Sequence, residues 1–173
     1  MENQASSKSI ILNYGLYLGI LSILISLVVY ATGNHVQPHW SVSLINVIAM
    51  IAFIILGMNK FKADNGGFMS WGQAVKVGVG LTVISTVIVI FYNLLFINFI
   101  EPEFISQVAA VQEQAWVDAG MSSEQIEASK KMMENFQSPV ISSAIGIVVA
   151  AFVSFIISAI AGAIMKQTPV EQY

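Results

Sequence analysis

Four stretches of this chain are long, apolar and free of charged residues, and they leave little choice of fold. They run from Ile10 to Ala31, from Val42 to Met58, from Val77 to Ile100 and from Val140 to Met165. A helix needs about 20 apolar residues to cross a hydrocarbon core of about 30 Å. Lipid offers no hydrogen bonds, so every backbone N–H and C=O must be satisfied within the segment, which makes such runs helices. No period-2 alternation in them argues for strands. The first run is longer than the apolar core of a secretory signal, about 7–15 residues, and is read as a span. With their flanks the predicted spans are about 10–31, 42–58, 72–100 and 140–165. They form one membrane domain over residues 1–173, with a helical insert at about 103–137. The expected fold class is an all-α membrane protein, four transmembrane helices with an extramembrane helical hairpin between the third and the fourth.

Composition supports lipid as the solvent. Only 10% of the 173 residues are charged, against about 25% in a soluble domain, too few to cover a globule in water. There are seven lysines and no arginine, which argues against nucleic acid, whose phosphates call for clustered Arg and Lys. The chain has no cysteine, which removes disulfides, thiolate metal sites and cysteine nucleophiles. The lysines set an orientation. Lys8, Lys60, Lys62, Lys76 and Lys166 fall on one side of the predicted spans. Lys130 and Lys131 fall on the other, diluted by acidic residues between Glu101 and Glu134. Both termini are therefore expected in the cytoplasm. Tyr30 and Trp40 fall near the outer interface, and Tyr14 and Trp71 near the inner one.

The connections hold the polar islands. The loop "TGNHVQPHWS" carries the two histidines, His35 and His39. Without a third ligand or a carboxylate nearby in sequence, they read as solvated loop residues rather than metal ligands. In the insert, a first helix opens near Pro102 and stops at Gly120. Its apolar stripe is Phe104, Val108, Val111 and Ala115. A second helix starts at a capping box, Ser122 with Gln125, and shows Ile126, Met133 and Phe136. These stripes either rest on the bundle or greet a partner protein. The return "KADNGGFMSWGQA" places Asn65, Gly66 and Gly67 where a turn wants positive φ. Phe61–Ala63 and Gly67–Met69 could pair as a minimal β-hairpin. Ser70 and Gln73 have capping-box spacing for the third span. A phosphate-binding loop would need a Lys-Ser/Thr or a strand before the helix, and neither is there.

Small residues recur along the spans. Span four carries Ser142, Gly146, Ala150, Ser154, Ser158 and Gly162 at intervals of four; span one has Gly15 and Gly19; span three has Gly78. In lipid, small residues let backbones approach closely. These faces are expected to pack spans one, three and four together, with a homodimer through span four as the other use. No ionisable residue sits in a span core, which weighs against a proton-coupled pump. The polar candidates there are Asn13, Asn46, Asn93 and the Ser and Thr residues.

The combination "NGGFMSWGQAVKVGVG", a long apolar helix and "FIEPEF" resembles a family of small bacterial inner-membrane proteins catalogued as a domain of unknown function, with four helices and a long insert before the last. The resemblance is carried by Asn65-Gly66-Gly67, by Gly72-Gln73-Ala74 with Gly78, and by Pro102. It implies that the membrane is a bacterial inner membrane, and it implies no catalytic residue, substrate or cofactor. The function read from the sequence is a non-enzymatic, multi-pass membrane protein that packs or docks with others. Its partners are the bilayer, a second copy, or a protein at the outer hairpin, and no cofactor is expected. The alternative is a small transporter or channel with a Ser/Thr/Asn-lined path. A third reading, a lipid-active enzyme, lacks a convergent base, nucleophile or metal set.

Overall fold

The computed structural model describes residues 6–136 and 138–168. The described residues form helices and no strand. α1 covers Ser7–Ala31, α2 Trp40–Asp64 and α3 Trp71–Leu95, followed by a π-helical turn at Phe96–Ile100; α4 covers Phe104–Asp118, α5 Ser123–Phe136 and α6 Pro139–Met165. Four of them, α1, α2, α3 with its π turn, and α6, are long and apolar enough to cross a membrane. At 1.5 Å per residue even 25 residues extend about 37 Å, enough for the hydrocarbon core with some tilt. The outward faces suit that solvent: Ile164 is 79% exposed, Val148 67% and Phe152 64%.

Two features differ from the sequence reading, the end of the second span and the return after it. The second span does not stop at Met58. It continues to Asp64, because Lys60 and Asp64 lie one turn apart and pair at 2.7 Å, so its charged last turn is still helix. The third span begins and ends as expected, reaching Ile100, and its last turn is π-helical: the Glu101 amide donates to the Phe96 carbonyl at 2.9 Å. Pro102 explains the stop, since the residue before a proline is pushed out of the α region; Glu101 has φ −141°, ψ 78°. The minimal hairpin at Phe61–Met69 does not form. Phe61–Ala63 is helical, and Met69 makes an antiparallel bridge with Gln167, with two hydrogen bonds of 2.9 Å.

α3 is the hub. α1 and α6 lie along it on either side, and α2 packs against α1 and α3 and touches α6. Close approach is achieved with glycine. A Cβ on Gly15 would lie 2.7 Å from the Leu81 carbonyl oxygen, and one on Gly162 would lie 2.8 Å from the Ala74 Cβ. Such contacts maximise dispersion between helices where no hydrophobic force between them exists. The buried core has one location. Ile54, Met58, Met69, Ala74, Val77 and Leu81 are all 0% exposed, and all belong to the end of the bundle that carries the termini.

That end is also tied by polar contacts. Gly66 and Gly67 take φ of 64° and 87°, the left-handed region that glycine enters without strain. The Gly67 amide donates to the Lys62 carbonyl at 2.8 Å, closing α2 in the manner of a glycine C-cap, and Asn65 Nδ2 donates to the Phe68 carbonyl at 2.9 Å. Lys62 Nζ donates to the Met165 carbonyl at 3.2 Å, at the C-terminus of α6. Ser70 Oγ accepts from the Gln73 amide at 3.3 Å and Gln73 Oε1 accepts from the Ser70 amide at 2.8 Å, a complete capping box on α3.

Candidate functional site

At the insert end, the same four helices leave a cavity of about 870 Å³, within the range of about 300–1,000 Å³ typical of small-molecule sites. Its walls are one face from each spanning helix. α1 gives Ser22 and Ser26, α2 gives Asn46 and Met50, α3 gives Ser85 and Thr86, and α6 gives Gly146 and Ala150. The insert forms its roof, with Phe104, Ile105, Val108 and Ala109 from α4 and Met133 and Phe136 from α5. The floor is the packed seam, reached at Leu18 and Thr82, which are only 3% exposed each.

The chemistry of the wall is mostly aliphatic, and no Asp, Glu or Lys lines it. Several of its polar groups are satisfied on their own helix. Thr82 Oγ1 donates to the Gly78 carbonyl at 3.0 Å and Thr86 Oγ1 to the Thr82 carbonyl at 2.9 Å. Asn46 Nδ2 donates to the Val42 carbonyl at 3.0 Å, and Ser142 Oγ to the Ser138 carbonyl at 3.1 Å. A wall built this way does not need water to satisfy these donors, so it accepts an apolar occupant. Asn93, at the α3 wall, is exposed to the cavity space and has a free amide to offer.

The predicted small-residue stripe divides between floor and wall. Ser154, Ser158 and Gly162 are buried. Gly162 meets Ala74 of α3, and the Ser158 hydroxyl occupies the space that a Cβ on Gly78 would need. Ser158 Oγ finds no hydrogen-bond partner there. Ser142, Gly146 and Ala150 instead line the cavity, and a Cβ on Gly146 would meet nothing within 4 Å. Gly15 and Gly19 are buried against α3, at Ile84 and Ile88. Asn65, Gly66, Gly67, Ser70 and Gln73 are remote from the cavity and build the turn at the opposite end.

One pair escaped sequence reasoning. His35 is not a solvated loop residue. Its Nε2 lies 2.7 Å from Glu101 Oε2, with the two side chains 17% and 16% exposed. The contact is one of distance: among the described residues neither atom has a hydrogen-bond partner of aligned geometry, and the same holds for His35 Nδ1. The ring stacks on Phe104, with centroids 5.9 Å apart and planes at 24°, and meets Tyr30 edge-on at 4.8 Å. Phe96 closes the cluster, edge-on to Tyr30 at 5.2 Å and to Phe104 at 5.6 Å. The only sequence signal was a carboxylate just before Pro102 and a histidine in a short loop, and nothing local joins them. His39 is exposed and serves differently: its Nδ1 accepts from the Ser41 amide at 3.3 Å and caps α2. Among the described residues no three His, Cys, Asp or Glu side chains come together as a metal site would require.

No curated protein and no solved structure matches this chain. A family model described as "Protein of unknown function (DUF4199)" matches residues 13–167, and the chain belongs to that family.

Proposed function

We propose that this member of the DUF4199 family is a non-enzymatic, multi-pass membrane protein that binds a hydrophobic or amphipathic small molecule in the cavity beneath its helical hairpin. The observation that carries the reading is the cavity itself, about 870 Å³, lined by no Asp, Glu or Lys and by one histidine, His35, closed below by the helical seam and roofed by the insert. Its lining specifies the occupant's chemistry. The buried part of the ligand is neutral and largely apolar, because no Asp, Glu or Lys lines the wall and His35 is already turned to Glu101. Asn93 is available to a few polar atoms, the usual pattern of a mostly apolar pocket with a few orienting groups.

The lysine distribution supports an orientation with both termini in the cytoplasm; in that orientation the cavity lies toward the outer leaflet of what we read as a bacterial inner membrane. A transport reading draws on Asn46, Ser85 and Asn93 in the wall. A path across the membrane would have to open the seam at Met58, Val77 and Leu81, each 0% exposed.

Purification in mild detergent followed by native mass spectrometry tests the binding reading. The wild-type chain is expected to retain a hydrophobic adduct. Ala150→Phe, which places a ring in the cavity, is expected to lose it while keeping its helical signal and melting behaviour. Equal adduct occupancy in both proteins, or none in either, would sink the proposal.

A further inference from the structure

We propose that α4 is a lid over this cavity and that the contact between His35 and Glu101 is the latch that holds it shut. The purpose of the lid rests on the ligand-site reading above; its geometry does not. The latch joins two connections that are distant in sequence, the α1–α2 loop and the corner between the π turn and α4. Glu101 sits on the corner, and Phe104, the first residue of α4, lies under the His35 ring at 5.9 Å. Breaking the polar contact therefore frees the ring that covers the start of α4.

The rest of α4 is weakly held. It has no buried residue. An ion pair of 2.6 Å joins its Glu113 to Lys130 of α5. Its inner face, Phe104, Ile105, Val108 and Ala109, looks into the cavity rather than into a packed seam. Elements with little buried contact are the ones that open locally, and lids are drawn from them. A hinge is in place as well. Three residues, Glu101 to Glu103, separate the π turn from α4, and Pro102 interrupts helical continuity there. Phe96, 6% exposed, anchors the chain on the bundle side of that hinge.

The latch is suited to two states. Closed, Nε2 of His35 and Oε2 of Glu101 lie 2.7 Å apart and buried, in close polar contact without the alignment of a hydrogen bond. Half-open, each would lose that contact while still out of reach of water, which is costly. Fully open, both are hydrated. The intermediate is thus penalised, and α4 is expected to switch rather than drift.

The absence of native cysteine allows a direct test. Ser26→Cys puts a thiol on the α1 wall of the cavity, and Ser158→Cys puts one in the α3–α6 seam as a control of folding. N-ethylmaleimide labelling is followed in proteoliposomes with the latch intact and with His35→Phe, which keeps a ring over Phe104 and deletes the polar contact. Labelling at position 26 is expected to rise about fivefold, the factor that a single modest polar contact carries, with position 158 protected throughout. Glu101→Leu, which removes the polar contact and leaves His35 in place, is the second variant should His35→Phe expose position 158, and it is expected to raise labelling at position 26 in the same direction. Equal labelling rates with and without the latch, position 158 being protected, would overturn the lid and leave the cavity standing. No labelling at position 26 in any background would overturn the lid and the ligand site together.

Discussion

The two halves of α6 carry the same four-residue repeat of small side chains and do different things with it. In the half toward the termini, Ser154, Ser158 and Gly162 are buried against α3. In the half toward the insert, Ser142, Gly146 and Ala150 face open space and line the cavity. The difference lies in the partner. Opposite Ser158 and Gly162, α3 presents Gly78 and Ala74, so two small surfaces meet and the backbones close. Across the cavity, α3 presents Thr86, Val89, Ile90 and Asn93, and their bulk keeps the helices apart. A small-residue stripe is thus permission for close packing, granted only where the facing helix also gives way.

That contrast is breakable in stages. The largest effect is expected from Gly78→Val. Its added carbons collide with Ser158, and overpacking a closed seam costs about 3 kcal/mol, the upper end of the usual range. Unfolding by SDS titration, followed by circular dichroism, reads this; a loss below about 1 kcal/mol would mean the seam is not closed. Next is Glu101→Leu at the insert end. It leaves the His35 imidazole without its partner and is expected to cost about 2 kcal/mol, measured by the same titration with His35→Phe as the second arm of a double-mutant cycle. Additive losses would show that the pair is not coupled. Ser70→Ala removes the hydroxyl that accepts from the Gln73 amide and is expected to cost about 1 kcal/mol, since it frays α3 where the seam begins. The smallest effect belongs to Gly146→Ala. With nothing within 4 Å of its added Cβ, only the helix preference acts, and stability is expected to stay level or rise by at most about 1 kcal/mol.

Much of the scaffold was legible in the sequence, because the features that specify it are local or periodic. Four uncharged runs require four helices in lipid, Ser70 and Gln73 carry their cap in their spacing, and Gly66 and Gly67 carry their turn in their freedom at positive φ. The extension of α2 to Asp64 was not legible from hydropathy, because Lys60 and Asp64 stabilise a polar last turn that an apolar-run criterion discards. The β-hairpin expected at Phe61–Met69 failed for a related reason: Met69 pairs with Gln167, almost a hundred residues away, and local turn chemistry cannot show that. The candidate site was the least legible. Its wall residues are the ordinary Ser, Thr and Asn of membrane helices, and only the three-dimensional divergence of α3 and α6 turns them into a lining. His35 and Glu101 were each visible as polar residues beside a turn. Their pairing depends on the corner that Pro102 makes at the end of the π turn.

The division of α6 into a closed half and an open half is most directly tested by single cysteines placed in turn at Ser142, Gly146, Ala150, Ser154, Ser158 and Gly162, with the latch opened by His35→Phe, and labelled with N-ethylmaleimide in proteoliposomes. Reaction at 142, 146 and 150 followed by protection at 154, 158 and 162 is expected, with the break between Ala150 and Ser154. Uniform protection along the helix, or uniform reaction, would contradict it.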